Sequence, residues 1–144
     1  MPNSILYSEI KQEKNIDEIG KLIASKAIII DCIGVLLRLY ANADIAYIGG
    51  GFGTGLHSVT EPAGYGIPLI CGERYNNSPD AIKLVDNNIL KPIKNLKELL
   101  SYLTDITINH TLRNDISRKA SQYINKSKGS TDLAFKNINQ ILKK

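Results

Sequence analysis

The sequence predicts an α/β protein, a mainly parallel sheet with helices on both faces. Three observations predict it. Short apolar runs suited to strands, Ala27-Ile28-Ile29-Ile30, Ile45-Ala46-Tyr47-Ile48 and Leu69-Ile70-Cys71, alternate with stretches of helical spacing. The first run is continuously apolar, as in a parallel strand buried on both faces. Directly after the second run, five glycines fall among the seven residues 49–55. Ordering that many glycines costs much backbone entropy, which chains tolerate where the backbone turns sharply or approaches something closely.

Each element can be justified in turn. Ile16, Ile19, Gly20, Leu22 and Ile23 have helical spacing, predicting a helix over Ile16–Ser25. The strand Ala27–Ile30 follows. Gly34–Ala43 reads as a helix with Leu36, Leu37, Tyr40 and Ala41 on one side, and Asp44 leads into the strand Ile45–Ile48. After the glycine loop, Val59–Tyr65 makes a short helix stopped by Gly66 and Pro68. Leu69–Cys71 is the next strand, and Pro79 suits the first turn of a helix running through Val85. Asn87-Asn88 turns the chain into a weak strand, Ile89–Ile93, broken by Pro92. Helices are predicted over Leu96–Asp105, Leu112–Asn125 and Thr131–Leu142, so residues 95–144 form a helical carboxyl-terminal region.

A chain of 144 residues suits one domain, residues 1–144, with material for a real core. Its 43% hydrophobic and 22% charged content is ordinary for a soluble globular protein. The net charge of +4 is local in origin: residues 113–144 hold eight Lys or Arg against Asp115 and Asp132. Such a tail is either a solvated helix face or a surface for an anionic partner. Cys32 and Cys71 each stand at the end of an apolar run, with no Cys-x-x-Cys pair, which excludes zinc-ribbon and thioredoxin-like chemistry. Two buried free thiols in a reducing cytoplasm are expected. No apolar run approaches the ~20 residues of a membrane helix, and the polar amino terminus has no signal-peptide core.

In open parallel sheets ligands bind outside the carboxyl ends of the strands. Three loops are expected there: Asp31–Gly34, Gly49–Thr60 and Gly72–Ser78. They would gather the glycines, His57, Glu61, Arg74 and Asn77 around one crevice. The glycine loop is not a P-loop. Gly50 and Gly55 have its separation, but Leu56-His57 stands where Lys-Ser/Thr belongs. Nor is it the dinucleotide fingerprint, since no register puts glycine at i, i+2 and i+5. A loop that merely needs φ > 0 stays open beside a phosphate- or sugar-binding loop.

The residues resemble a known family. Leu36-Leu37-Arg38-Leu39-Tyr40, Ala43-Asp44, Gly49-Gly50, Gly55-Leu56-His57-Ser58-Val59-Thr60-Glu61-Pro62-Ala63 and Gly66-Ile67-Pro68-Leu69-Ile70-Cys71-Gly72 look like the carboxyl-terminal, donor-binding domain of bacterial 3-deoxy-D-manno-octulosonic acid (Kdo) transferase. Their order also fits the wider GT-B glycosyltransferases. The resemblance is most specific over about a third of the chain, with Gly129-Ser130-Thr131 like the family's closing segment. It implies a Rossmann-like fold, the carboxyl-terminal half of a GT-B enzyme. It also implies inverting transfer of Kdo from CMP-Kdo to a lipid A precursor, with no metal, no cofactor and no nucleic-acid partner.

Under the resemblance, the donor-binding residues are Gly49, Gly50, Gly51, Gly53, Gly55, His57, Ser58, Glu61 and Asn77. Glu61 would accept hydrogen bonds from ribose hydroxyls; as a first-turn acid it would alternatively complement a helix dipole. Loop amides and the following helix start would face the phosphate. His57 would bond phosphate or the Kdo carboxylate, or else brace the loop. Asn77 and Arg74 would reach the nucleotide or cap the next helix. His110 reads as surface.

Two departures stand out: Ser58 where the family usually has Asn, and Gly72-Glu73 where it has Gly-Pro. The family's acceptor domain, its membrane-associating segment and its carboxylate base have no counterpart in these residues. The chain therefore reads as a carboxyl-terminal fragment, itself soluble and inactive alone, of an enzyme at the cytoplasmic face of the inner membrane. The competing readings are a UDP-sugar transferase of the GT-B class and a non-catalytic Rossmann-like interaction module.

Overall fold

A computed structural model describes residues 3–10, 20, 23–127 and 129–142. The chain divides into two compact units, Met1–Arg38 and Leu39–Lys144.

The first unit holds β1 (Ser4–Leu6) and β2 (Ala27–Ile29), paired in parallel with Ser4 opposite Ala27 and Leu6 opposite Ile29. A 3-10 turn, Tyr7–Glu9, follows β1. At the carboxyl end of this pair the Asp31 carboxylate accepts from the Ser8 amide at 3.0 Å and the Ser8 hydroxyl at 2.5 Å. Those bonds hold the Asp31 carboxyl below its ordinary range. The predicted helix over Ile16–Ser25 lies mainly outside the described residues; Gly20, Ile23 and Ala24 are helical.

Two expectations fail in this unit. Ile28 and Ile29 are 49% and 44% exposed, not buried on both faces. They belong to a two-stranded ladder of three residues per strand, too small to cover its own faces. Cys32 is exposed, not buried, because it lies beyond the strand in the 31–34 loop.

The helix α1 (Leu36–Tyr40) carries the chain from the first unit to the second, and is shorter than the predicted Gly34–Ala43. The second unit is built on a three-stranded parallel sheet, order β3-β4-β5, from β3 (Ala46–Ile48), β4 (Leu69–Gly72) and β5 (Leu90–Ile93). Leu69 lies opposite both Ala46 and Leu90. Between the strands run α2 (Thr60–Gly64) and α3 (Pro79–Asp86); after them come α4 (Leu96–Ile108), α5 (His110–Ser127) and α6 (Ser130–Leu142). Parallel strands flanked by helices are the α/β class that the sequence predicts.

The central strand shows where the core sits. Leu69, Ile70 and Cys71 are each 0% exposed. Alternate side chains of a strand point to opposite faces, so both faces of β4 are covered. Ala46, Ile48, Leu69, Cys71 and Leu90 share one cluster with Val59 and Ala63 near α2, Leu84 of α3, Ile106 of α4, and Ile116 and Ala120 of α5. The Ser117 hydroxyl of α5 donates to the Gly66 carbonyl, tying α5 to the turn after α2.

Helix ends are set by local chemistry. Ser78 caps α3, its hydroxyl accepting from the Ala81 amide at 3.2 Å, with Pro79 in the first turn. The Asn95 side-chain oxygen accepts from Glu98 N–H at 3.0 Å, while the Glu98 carboxylate accepts from the Lys94 amide at 2.9 Å. The Arg113 guanidinium donates to the Ile106 and Thr107 carbonyls, satisfying acceptors left over at the end of α4. It also lies against the His110 ring at the start of α5.

Candidate functional site

The glycine loop leaves β3 at the carboxyl edge of the sheet and folds back on itself. Gly53 N–H donates to the Gly50 carbonyl at 2.9 Å, and His57 N–H to the Gly49 carbonyl at 3.2 Å. Gly50 has φ +88°, a region that disfavours side chains, and a Cβ there would land on the Gly55 carbonyl oxygen.

The folded loop then docks on the end of the neighbouring strand. A Cβ on Gly51 would stand 2.6 Å from the Gly72 nitrogen and 2.8 Å from its Cα. Conversely, a Cβ on Gly72 would overlap the Gly51 carbonyl group. Arg74 N–H donates to the Gly51 carbonyl at 2.8 Å. Two glycines facing one another thus let two backbones touch, and one hydrogen bond locks the register of the loops.

Between these loops lies an open depression of about 490 Å³, lined by Gly53, Thr54, Gly55, Glu73, Arg74, Asn76 and Asn77. The amides of Thr54 and Gly55 have no hydrogen-bond acceptor among the described residues. Asn77 reaches toward the loop, its Nδ2 3.4 Å from where a Gly55 Cβ would stand. Two of the three loops expected to converge therefore do so; the Asp31–Gly34 loop belongs to the first unit.

Of the residues singled out in the sequence, Gly53, Gly55, Arg74 and Asn77 line the depression, while Gly50 packs against Gly55 and Gly51 against Gly72. His57, Ser58 and Glu61 are exposed but not in its lining. The His57 ring lies beside Gly49, with Cδ2 3.5 Å from the position of a Cβ there. Ser58 and Thr60 hydroxyls are 3.4 Å apart. Glu61 is the second residue of α2, close enough to Tyr40 to influence it: burial first, and the Glu61 charge second, push the Tyr40 phenol up. The Tyr40 and Tyr65 rings meet at 6.3 Å. With five residues, α2 is shorter than the predicted Val59–Tyr65.

The structure also decides what Asn77 and Arg74 do locally. Ser78 caps α3, so neither of them serves as its cap. Thr54, Glu73 and Asn76 are lining residues that sequence reasoning did not single out. The signal for them was their place after a strand at the carboxyl edge. Among the described residues no three His, Cys, Asp or Glu side chains gather to hold a metal ion, and no helix is long and apolar enough to cross a membrane.

Comparison with known proteins adds to this geometry. No protein-family model matches the chain. Over 56 residues it is 45% identical to the 3-deoxy-D-manno-octulosonic acid transferase of Chlamydophila psittaci (strain ATCC VR-125 / 6BC), a stretch covering 38% of this chain and 13% of that protein. Over 107 residues it is 32% identical to the 3-deoxy-D-manno-octulosonic acid transferase of Chlamydia trachomatis serovar D, covering 72% of this chain and 25% of that protein. The match thus spans a quarter or less of the length of these relatives. Among solved structures, the C-terminal CMP-Kdo binding domain of WaaA from Acinetobacter baumannii superposes with a TM-score of 0.63 at 19% identity, over 69% of this chain and 53% of that one. At that identity the likeness establishes the fold.

Proposed function

We propose that this chain, related in sequence to Kdo transferases and folded like their carboxyl-terminal domain, is the donor-binding domain of such an enzyme. The donor is CMP-Kdo and the acceptor a lipid A precursor. Transfer inverts the anomeric centre and uses no metal. The acceptor and the base that activates its hydroxyl are held outside these residues, at the inner-membrane face.

One observation carries the reading: the glycine loop is pinned to Gly72 and Arg74, and Gly53, Thr54, Gly55 and Arg74 line one depression at the carboxyl ends of the strands. Unbonded amides and a cation suit the phosphate of a nucleotide leaving group, whose negative charge grows as the glycosidic bond breaks. In this reading Glu61, exposed on the first turn of α2, accepts hydrogen bonds from the ribose diol. The exposed His57 ring, beside Gly49, in this reading bonds the phosphate or the Kdo carboxylate.

Titration of the isotopically labelled chain with CMP and with UDP tests the reading. CMP is expected to shift amide resonances within Gly49–Glu61 and Gly72–Asn77 at lower concentration than UDP. A preference for UDP would favour a UDP-sugar transferase. No shift with either nucleotide would favour an interaction module.

A further inference from the structure

We propose that Arg74 is the residue that seats the donor's oxyanion and thereby selects an anionic donor. This rests on the donor-site reading above and goes further by assigning the anion to one side chain. Arg74 lines the depression, and its backbone is fixed there by the 2.8 Å bond from its amide to the Gly51 carbonyl. The side chain is free of structural duty. Ser78, not Arg74, caps α3, and the guanidinium has no carboxylate partner among the described residues, whose salt bridges are Arg118–Asp115 and Lys119–Asp115.

A planar guanidinium matches the two oxygens of a phosphate or carboxylate and binds them as a fork, which a lysine cannot do. Thr54 and Gly55, whose amides have no backbone acceptor among the described residues, line the same space and can offer neutral donors to an oxyanion held by Arg74. Glu73, next in sequence and in the same lining, repels a second anion from its own side of the depression. The site is thereby polarised: one anionic group at Arg74, hydroxyl or amine groups toward Glu73.

Both a nucleotide phosphate and a sugar-acid carboxylate have this chemistry, and three ligands separate them. Binding of cytidine, CMP and CMP-Kdo is measured by calorimetry for the natural chain, Arg74→Gln and Arg74→Lys. The expected result is at least tenfold weaker binding of CMP and CMP-Kdo by R74Q, unchanged cytidine binding, and an intermediate loss for R74K. A loss confined to CMP-Kdo assigns the carboxylate to Arg74 in place of the phosphate. Thermal midpoints of both variants should match the natural chain, since the bond to Gly51 uses the backbone. Equal affinities in all three proteins would overturn the role of Arg74 while leaving the donor site standing. Failure of the natural chain to bind any of the three ligands would overturn both.

Discussion

Gly50, Gly51 and Gly72 have no room for a side chain, each because a Cβ would collide with backbone. At Gly50 the left-handed backbone conformation adds a second reason. At Gly51 and Gly72 a Cβ would collide with the partner's backbone, which cannot move aside as a flexible side chain can. Gly51→Ala or Gly72→Ala should therefore force the two loops apart, at a cost on the order of 1–3 kcal/mol typical of overpacking. Gly53→Ala is the control, since the nearest atom to its Cβ would be the Gly50 oxygen at 3.9 Å. Denaturant midpoints check this: the two contact variants should drop and Gly53→Ala should stay near the natural value. Equal effects at all three positions would mean that the close approach does not govern the loop.

At this scale the sequence was legible as to where backbone must come close, because glycine density reports that directly. It did not show what approaches. The partner is another strand's end as well as the space for a ligand. Spacing puts His57 and Glu61 around one crevice with Gly55, whereas the lining of the depression holds Gly55 and neither of them. Spacing along a chain fixes which loop a residue is on, not which way a five-residue helix presents it.

Among the elements, α3 has the most explicit boundary. Ser78 accepts from the Ala81 amide, Pro79 opens the first turn, and Asn88 takes a left-handed φ of +56° just past the end. Ala81 and Leu84 are fully buried beneath it, so fraying of this helix uncovers core. Ser78→Ala should cost about 1 kcal/mol, as loss of a helix cap does, and Ser78→Asp should restore most of it. A loss well below a few tenths of a kcal/mol in denaturant melts would show that Pro79 alone sets the start. The same segment positions Asn76 and Asn77, so the cap also steadies one wall of the depression.

β5 illustrates how an element survives a residue that argues against it. Pro92 lies opposite Cys71 in the ladder. The Leu69 amide donates to the Ile89 carbonyl, so the alternation of a parallel strand turns Ile89, Lys91 and Ile93 toward β4 and Leu90 and Pro92 toward the open edge. The missing N–H of Pro92 therefore removes nothing from the sheet and leaves its edge a poorer template for further strands. The strands β2 to β5 were legible from apolar runs and the start of α3 from Pro79, whereas the three-residue β1 and the Ser78 cap were not. The boundaries of α1 and the exposure of β2 were not, because both depend on what packs beside them and not on local pattern.

For the molecule as a whole, the two cysteines report on different units. Cys32 is exposed in the first, and Cys71 is buried at the centre of β4 in the second. Burial pushes the Cys71 thiol from its ordinary 9.0 to about 11. Since the thiolate is the reactive form, Cys71 is shielded twice, by packing and by protonation. A disulfide reagent at pH 8 should titrate one thiol at the rate of an accessible cysteine and the second orders of magnitude more slowly, through opening of the second unit. Cys32→Ser should remove the fast phase and leave the slow one. The same thiol couples stability to alkaline pH. Unfolded, it loses its proton near 9.0; folded, near 11. The stability it contributes is present below pH 9 and falls away as pH rises toward 11, because there the folded chain binds the extra proton. The slow labelling phase should accelerate over that window more steeply than thiolate formation in a free cysteine accounts for, and more weakly in Leu69-region variants that already open the sheet. Two fast thiols at pH 8 would mean that β4 is not the sealed centre around which the glycine loop is held.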